Sequence, residues 1–549
     1  MTMAVPRTPV SSGTVTVDGL SGTPAPDSTL FDFAESLGVT VPTSCHKQGK
    51  CRECLLEIEA GSEFLTPPAP QESHLGGRFR LACRTRLAAP GEVRCHTLRR
   101  GSLRIETEAM RLPENQRRLD PAITRDGARV LLDHQPIAES DGPLHGLAID
   151  IGTTTIVLRL YNLETGQPAG TQSFENPQRF GGSDIMARIR YDGEHGGRLL
   201  QRTLLGYLSR AITALPAEGD TIYEVVVVGN PTMRDLFFGL DVQGIGVIPY
   251  RSTTEAAYRE GRAGTTSISI AAKRLRLPVH PEARVYGLPV IGSHVGADAA
   301  ACLLATGIAE REEVSAVFDI GTNTEVIMGN RHRLIAASCP AGPAFEGGGV
   351  TYGMPALDGA IERVGISDNG AVEINVINSG PPVGICGSGL VDLLSELRRT
   401  NHMNEQGRLQ QDAEPFLLDE TGICLSEADI NELAQAKGAN AAGLRVLADT
   451  YGVALNRMDR LYLAGGFSRH LDVDAACRIG LVPDLPRDRI VKVGNAALEG
   501  AAIALLSVSR RKELEEQVKK IEHVRLETHP HFFDFFVDGC QFHPFGGIA

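Results

Sequence analysis

Hydrophobic positions follow one pattern in the first hundred residues and another after residue 146. Near the start, Thr14–Val17 alternates with the two-residue period of a strand, and residues 55–59 predict a further strand. A short helix is predicted between these two strands, with an apolar face made by Leu30, Phe33 and Leu37. We therefore expect residues 1–96 to form a small α+β domain.

From residue 146 onward, apolar runs of strand length alternate with helical stretches. The strands are predicted at 147–151, 225–228, 317–320 and 461–464. Helices are predicted at 297–304 and 389–398. Alternation of this kind favours an α/β architecture for residues 146–549.

One internal repeat adds a duplication to this α/β pattern. Residues 150–157 (DIGTTTIV) and 319–326 (DIGTNTEV) are identical at six of eight positions. Each copy predicts a strand, a tight Gly-Thr turn and a second strand. A hairpin duplicated at this spacing predicts two similar halves that face each other.

Residues 97–145 differ from both neighbours, because arginines are dense there and interleaved with glutamate and proline. We interpret this stretch as a linker that is partly helical. A solvated surface helix of the following domain is the other interpretation that the pattern allows.

Length and charge limit the classes of function. At 549 residues the chain is too long for one ordinary core. A net charge of −13 argues against nucleic acid as the main partner, because phosphate neutralisation needs clustered Lys and Arg. No apolar run approaches 18 residues, so no membrane span is predicted, and the first residues lack the pattern of a secretory signal. We expect a cytoplasmic protein.

Cysteine placement points to metal binding. Five of the eleven cysteines lie in the first 95 residues. Four of them have the spacing Cys45-x5-Cys51-x2-Cys54, followed by Cys83 after 28 intervening residues. Plant-type [2Fe–2S] clusters need three thiolates on one loop and a fourth from a distant segment. Gly49 lets the loop backbone approach a cluster, and backbone N–H groups there can bond its sulfurs.

Three other interpretations of the cysteines stay open. A structural zinc site also uses four cysteines, but usually as two short pairs, and Cys83 has no near partner in the sequence. Cys95 can replace Cys83 as the fourth ligand. The cysteines can also be plain buried residues.

The repeated hairpins have the composition of phosphate-binding turns. Gly152 and Gly321 permit a close backbone approach, and consecutive N–H groups in such turns form an anion site. The turn residues that can contact phosphate are Thr153, Thr154, Thr155, Thr322 and Asn323, with Thr324 as a further hydroxyl. Asp150 and Asp319 lie at the strand ends, where carboxylates can hold Mg²⁺ through water. Ordinary hairpin capping is the alternative role for both.

A later strand ends in Gly465 and Gly466, followed by Ser468, and can let an adenine or ribose pack against the backbone. Residues 495–505 then predict an Ala-rich helix suited to close packing. This order of two phosphate hairpins, a Gly-Gly turn and an Ala-rich helix resembles the actin–hexokinase–chaperone ATPase superfamily. The resemblance implies duplicated ribonuclease-H-like halves and ATP as ligand.

Three further features have two interpretations each. Glu346 precedes three glycines and either contacts nucleotide or orients water, or is a surface-loop acid. Asp298 begins a helix and either stabilises its N-terminus or binds metal. Residues 387–389 (GSG) open a helix and serve either phosphate contact or tight packing.

Together with the cysteine motif, five further segments resemble the reductive activators of corrinoid proteins. They are residues 229–233 (GNPTM), 293–298 (SHVGAD), 341–348 (AGPAFEGG), 385–390 (ICGSGL) and the aromatic tail 532–545. The resemblance covers about 1–96 and 146–549, nearly the whole chain. It implies a β-grasp ferredoxin-like domain joined to an actin-like ATPase domain. Such proteins usually have a middle domain, which we expect to be reduced or absent between residues 97 and 145.

The implied activity is ATP-dependent transfer of one electron from the [2Fe–2S] cluster to Co(II), which regenerates Co(I). In this interpretation Asp150, Asp319 and Glu346 act in hydrolysis of Mg-ATP. The implied partners are a corrinoid protein of a methyltransferase system and an upstream reductant, and the resemblance also suggests a homodimer.

Other functions stay open. One is activation of another low-potential metalloenzyme, as in the 2-hydroxyacyl-CoA dehydratase activators, which carry a [4Fe–4S] cluster between two subunits. The others are a kinase with a redox-sensing appendage and a zinc module on an ATP-switch scaffold.

Overall fold

A computed structural model of the chain describes residues 13–39, 41, 43, 47–49, 54–98, 118–367, 369–410, 414–418, 420, 422–466 and 468–545. The described residues divide into two compact units. One contains the N-terminal region together with Phe174–Ile212, and the other contains the rest. None of the described helices combines the length and the apolar character of a bilayer span.

The first unit contains a five-stranded mixed sheet and one helix packed on it. Its strands are β1 (Thr14–Val17), β2 (Leu20–Gly22), β3 (Leu55–Ala60), β4 (Phe79–Leu81) and β5 (Glu92–Thr97), in the order β2-β1-β5-β3-β4. Helix α1 (Leu30–Ser36) begins at Thr29, whose hydroxyl accepts the Asp32 N–H in a capping box. Leu30, Phe31 and Phe33 are buried beneath it. The predicted ferredoxin-like β-grasp fold is confirmed.

The same unit contains two helices from a distant part of the chain. They are α2 (Ile185–Glu194) and α3 (Leu199–Thr213). Asp184 caps α2 by accepting the Ala187 N–H at 2.9 Å. The hydrophobic pattern did not predict that these helices belong with the N-terminal domain.

The second unit begins with a small antiparallel sheet. Its strands are β6 (Ile123–Asp126), β7 (Arg129–Leu132) and β8 (Gln135–Glu139). The partly helical linker predicted for 97–145 is therefore wrong for the described residues 118–145. Two features favour the sheet: Gly127 has a left-handed φ of 60°, which suits the β6–β7 turn, and Val130 is fully buried.

Two six-stranded sheets follow, and they share one topology. The first contains β9 (His145–Ile151), β10 (Thr155–Asn162), β11 (Pro168–Glu175), β12 (Ile222–Val228), β13 (Ile268–Ala271) and β14 (Arg284–Gly287). The second contains β15 (Ser315–Asp319), β16 (Thr324–Gly329), β17 (Leu334–Cys339), β23 (Arg460–Ala464), β24 (Ile490–Gly494) and β25 (Glu522–His523). Their orders are β11-β10-β9-β12-β14-β13 and β24-β23-β15-β16-β17-β25. With β13 and β25 left out, the remaining five strands of each half, numbered in chain order, lie in the order 3-2-1-4-5. The predicted duplication is therefore confirmed.

Short strands and helices complete this unit. The strands are β18 (Ala360–Ile366), β19 (Val372–Val376), β20 (Gly384–Ile385), β21 (Phe416–Leu417) and β22 (Cys424–Leu425). The helices are α4 (Pro231–Phe238), α5 (Thr253–Arg259), α6 (Ala297–Thr306), α7 (Gly387–Arg399), α8 (Glu427–Tyr451), α9 (Val473–Arg478), α10 (Ala496–Leu506), α11 (Val508–Val518) and α12 (Phe532–Gly539). The aromatic tail, which the phenylalanines suggest as a packed strand, forms α12 instead.

The Ala-rich helices α6 and α10 join the two halves. A Cβ on Gly500 of α10 would collide with the carbonyl group of Ala301 in α6, so the helices touch backbone to backbone. One apolar core includes both helices and strands of both sheets, with Ala148, Val226, Val317 and Tyr462 buried in it. The two halves therefore meet at the ends of the strands that carry the predicted phosphate turns.

Candidate functional sites

A single cavity between the two halves collects nearly all the residues predicted for nucleotide binding. Its lining includes Asp150, Gly152, Thr153, Thr154, Thr155, Asp319, Gly321, Thr322, Asn323, Glu346, Gly465 and Gly466. Sheet topology explains the convergence, because β9 and β12 run parallel and so do β15 and β23. The carboxyl ends of all four strands therefore open on one side, where α/β folds bind ligands.

The first hairpin turn is closed by one backbone hydrogen bond and one close glycine contact. Gly152 N–H donates to the Thr155 carbonyl at 2.9 Å, which closes the turn between β9 and β10. Thr155 lies opposite Gly152, where a Cβ would press on its carbonyl oxygen. Glycine is required at 152 for this close approach.

Several buried carboxyl groups line the cavity. Burial, together with the charge of Asp319, raises the pKa of Asp150 to about 7. Burial likewise raises the pKa of Asp319 to about 6, and that of Asp298 to about 8. The buried carboxyl of Glu325 also lines the cavity, with a pKa well above its ordinary value. Within the described residues, no three acidic, histidine or cysteine side chains are grouped as direct metal ligands. A hydrated Mg²⁺ beside these oxygens would keep them ionised.

Two roles were open for Asp298, namely stabilising the N-terminus of its helix or binding metal. Its Oδ1 accepts the Ala299 N–H at 2.8 Å at the start of α6, and the side chain also lines the cavity. The structure therefore gives it a helix-terminal position and access to the cavity together.

Three partners of the predicted residues were missed at the sequence level. Asn495 donates from Nδ2 to Asp150 Oδ2 at 2.9 Å. Asn230 donates from Nδ2 to Thr153 Oγ1 at 3.0 Å. The Cys302 thiol contacts Asp319 Oδ2 at 3.6 Å. Both asparagines cap the helix that follows a sheet strand, and that strand-end position is the signal that identifies them.

Glu346 connects the two halves directly. Its Oε2 accepts hydrogen bonds from Thr154 Oγ1 at 2.6 Å and from Thr322 Oγ1 at 2.5 Å. The two hydroxyls lie 3.5 Å apart, one on each hairpin. The surface-loop interpretation of Glu346 is therefore wrong, because the carboxylate lies in the cavity between the two turns.

The cavity offers donors that fit the phosphates of ATP. Asn323 Nδ2 is buried and has no hydrogen-bond partner within the described part of the chain. Gly387 and Ser388 at the start of α7 also line the cavity, while Ser388 Oγ donates to the Glu362 carbonyl at 3.1 Å. An anion here would meet backbone N–H groups, an unpaired amide and threonine hydroxyls.

The Gly-Gly turn after β23 is confirmed as part of the cavity wall, but Ser468 has another position. Gly465 adopts a left-handed φ of 99°, and a Cβ there would collide with the Ile320 carbonyl. Ser468 is fully buried, and its hydroxyl bonds the carbonyls of Gly465 at 2.8 Å and Leu463 at 3.2 Å. Ser468 therefore stabilises the turn and does not contact the cavity, because its hydroxyl is taken by backbone.

Two of the four predicted cluster ligands can be placed in the ferredoxin-like domain. Cys54 precedes β3 and Cys83 follows β4, and their sulfurs lie 3.3 Å apart in a buried environment. Cys45 and Cys51 lie outside the described residues. The facing sulfurs fit two ligands of one cluster, since thiolates must converge on the iron.

Cys95, the other candidate for the fourth ligand, faces elsewhere. Its thiol lies on β5 and contacts the Thr16 carbonyl at 3.5 Å. Burial and the charges of Asp18 and Glu59 raise its pKa to about 12. Cys83 faces Cys54 whereas Cys95 contacts a backbone carbonyl, which favours Cys83 as the fourth ligand.

Comparison of the chain with protein families finds three consecutive matches. A profile described as a 2Fe-2S iron-sulfur cluster binding domain matches residues 15–88. The RACo middle region matches residues 145–311, and the C-terminal domain of RACo, the ASKHA domain, matches 313–545. We expected a middle region to be reduced or absent between 97 and 145; its profile instead matches within the span 146–549 that we predicted as the ATPase domain.

Individual relatives match this chain over most of its length. The corrinoid activation enzyme RamQ of Eubacterium limosum is 28% identical over 94% of this chain and 96% of its own. A [Co(II) methylated amine-specific corrinoid protein] reductase of Methanosarcina barkeri is 24% identical over 72% of this chain and 76% of its own. A solved structure titled reductive activator for corrinoid, iron-sulfur protein covers 97% of this chain and 99% of its own, with a TM-score of 0.71 and 28% identity.

Proposed function

We propose that this chain, which belongs to the RACo family, is an ATP-dependent reductive activator of a corrinoid protein. The observation that carries the proposal is the presence in one chain of two different sites. One is the facing sulfur pair of Cys54 and Cys83, and the other is the two-sided cavity where Glu346 joins Thr154 to Thr322. A nucleotide site alone fits many kinases, and a ferredoxin-like domain alone fits many reductases.

The two sites have separate tasks in this proposal. Cys45, Cys51, Cys54 and Cys83 hold a [2Fe–2S] cluster, which supplies single electrons at about −400 mV when bound. The substrate is the Co(II) of the corrinoid protein, which gains one electron and becomes Co(I). We expect the Co(II)/Co(I) couple to be more negative than the cluster. A gap of a few hundred millivolts between the two potentials costs roughly 5–7 kcal/mol, so the transfer needs an energy source. We assign the cluster to residues 1–96 and nucleotide binding to residues 146–549.

ATP can supply this energy because its site is built from both halves. A phosphate group that takes the hydroxyls of Thr154 and Thr322 touches both hairpins at once. Asp150 and Asp319 would hold Mg²⁺ through water, and Glu346 would orient the attacking water. A ligand that contacts both halves favours their closed arrangement. Hydrolysis of ATP then lets the two halves open again.

The proposed partners follow from the same chemistry. A corrinoid protein supplies Co(II), and an external reductant must reload the cluster after each electron is spent. A homodimer stays a prediction from the family resemblance.

The proposal is tested by measuring ATP hydrolysis with and without a Co(II) corrinoid protein. We expect the partner to increase the rate, and an unchanged rate with every candidate partner would contradict the proposal. The alternative, activation of another metalloenzyme through a [4Fe–4S] cluster between subunits, is separated by EPR of the reduced protein. A [2Fe–2S] signal is expected, and a [4Fe–4S] signal would favour the alternative.

A further inference from the structure

The ferredoxin-like domain forms a compact unit with a segment of the ATPase sequence. The described part of the first 101 residues groups with Phe174–Ile212, which we call the insert. The insert begins within β11, contains α2 and leaves through α3 toward β12. β12 pairs in parallel with β9, and Val228 lies opposite Asp150 in that pairing. Both ends of the insert are therefore continuous with strands of the sheet that carries the first phosphate turn.

An ion pair at a buried carboxylate joins the insert to the domain. Glu57 of β3 is 1% exposed, and its Oε2 lies 3.2 Å from Nη1 of Arg179 in the insert. Arg179 also pairs with Glu175. Nε2 of His96 lies 2.9 Å from Oε2 of Glu57. Arg78 Nε also lies 2.6 Å from Oε1 of Glu57, so the two arginines share this buried carboxylate. Removing one partner of a buried carboxylate is still costlier than losing a surface pair. This contact therefore resists separation.

A second contact lies beside the first and is built from rings. The Tyr191 hydroxyl of α2 donates to the His74 carbonyl at 2.7 Å. The Phe180 ring meets His74 and Tyr191 edge-on, with centroids 6.1 Å and 5.4 Å away. All three side chains are less than a tenth exposed. Burial of this degree is typical of a domain interior.

We infer that the insert is the docking element that holds the ferredoxin-like domain and transmits the nucleotide state to it. The inference rests on the proposed function. Closure around nucleotide shifts the strands that carry the phosphate turns, and the insert is covalently continuous with two strands of that sheet. The ferredoxin-like domain is then moved through Arg179 and Tyr191, and not only through the chain that follows residue 96.

The decisive variant is Arg179→Glu, which places a third negative charge beside Glu57 and Glu175. Its matched control is Arg190→Glu, an exposed arginine on α2 of the same insert with the same change of charge. We expect Arg179→Glu to keep ATP hydrolysis in the absence of partner but to lower ATP-dependent Co(I) formation about tenfold, a typical coupling. Arg190→Glu should behave as wild type, and equal Co(I) formation by both variants would overturn the inference.

Two measurements keep the test independent of folding and of the proposed function. Cluster absorbance is recorded first. If Arg179→Glu has lost this absorbance, Tyr191→Phe is used in its place, because Tyr191→Phe removes only one hydroxyl. Hydrogen exchange of residues 55–60 is then compared with and without a non-hydrolysable ATP analogue. We expect nucleotide to change this exchange in wild type and not in the variant, even if no corrinoid protein is reduced. If nucleotide does not change the hydrogen exchange of residues 55–60 in wild type, the inference is overturned. If wild type never forms Co(I), the proposed function is overturned instead.

Discussion

The Thr154 hydroxyl donates a 2.6 Å hydrogen bond to the carboxylate of Glu346, which comes from the other half of the ATPase domain. The same carboxylate oxygen accepts the Thr322 hydroxyl. A phosphate oxygen that takes both hydroxyls has to replace the Glu346 oxygen between them. Glu346 therefore competes with nucleotide for the two turns, and once displaced it remains near the phosphates.

Replacing Glu346 with Gln should separate these two effects. The amide keeps the shape of the side chain but removes its charge, so we expect ATP to bind about tenfold more tightly. Hydrolysis should fall by about a hundredfold if the carboxylate orients the attacking water. Calorimetric binding and single-turnover hydrolysis measure the two quantities.

The control for this variant is Glu373→Gln, which changes an exposed acid on β19 by the same group. It should alter neither quantity. Unchanged affinity and unchanged hydrolysis in the Glu346 variant would show that the contact is incidental.

Binding of Mg²⁺ with nucleotide should depend on pH. Burial and neighbouring carboxylates raise the pKa of Asp298 to about 8 and that of Asp150 to about 7. A cation must displace these protons, so affinity should rise from pH 6 to pH 8, by about tenfold per pH unit for each proton released. Titration of Mg-ADP at fixed pH values measures this, and Asp298→Asn should make the dependence shallower. Equal slopes in both proteins would contradict the prediction.

The same groups predict how stability changes with pH when metal is removed by a chelator. Because the folded pKa of Asp298 lies above the unfolded value of 3.8, the folded chain holds a proton that the unfolded chain has lost between about pH 4 and 8. The contribution of this group to the free energy of unfolding therefore falls as pH rises through that window. Thermal unfolding of wild type and Asp298→Asn should show a smaller loss with rising pH in the variant. A loss of the same size in both proteins would contradict the assignment.

The assignment of the fourth cluster ligand is tested by two serine variants. Cys83→Ser removes the sulfur that faces Cys54 at 3.3 Å, so iron and visible absorbance should be lost or strongly reduced. Cys95→Ser alters a buried thiol that contacts a backbone carbonyl and should keep the cluster. Iron and sulfide analysis with EPR distinguishes them, and the reverse pattern would make Cys95 the ligand.

The two glycines after β23 should respond differently to alanine. Gly465→Ala forces a side chain into a left-handed backbone against the Ile320 carbonyl and should cost about 1–3 kcal/mol of stability. A Cβ on Gly466 meets no described atom within 4 Å, so Gly466→Ala should fold normally. Because Gly466 lines the cavity, that variant should bind ATP more weakly. Chemical denaturation and nucleotide titration measure both effects, and unchanged ATP affinity in Gly466→Ala would place the nucleotide elsewhere.

The phosphate turns were predictable because they are local. The repeated DIGT turn, its two strands and its glycine are set by residues within eight positions of each other, and the structure has them as predicted. The duplication of the two halves follows from the same repeat, whereas the strand order of each half is seen only in the structure.

Other features depended on contacts that no local pattern contains. Ser468 follows two cavity glycines in sequence, yet its hydroxyl is satisfied by backbone carbonyls. The partners of Asp150 and Thr153 come from Asn495 and Asn230, far along the chain. The insert has the amphipathic pattern of any surface helix pair, and only the contacts of Tyr191 with His74 and of Arg179 with Glu57 identify its partner.

In the proposed reaction, ATP drives an electron from an N-terminal cluster to a corrinoid cobalt. The direct measurement is a single turnover, in which protein with a pre-reduced cluster and no other reductant is mixed with a Co(II) corrinoid protein, with and without Mg-ATP. We predict that Co(I) absorbance appears and cluster absorbance returns to the oxidised form only when Mg-ATP is present. Co(I) that forms equally without ATP, or never forms while the cluster and ATP binding are intact, would contradict the account.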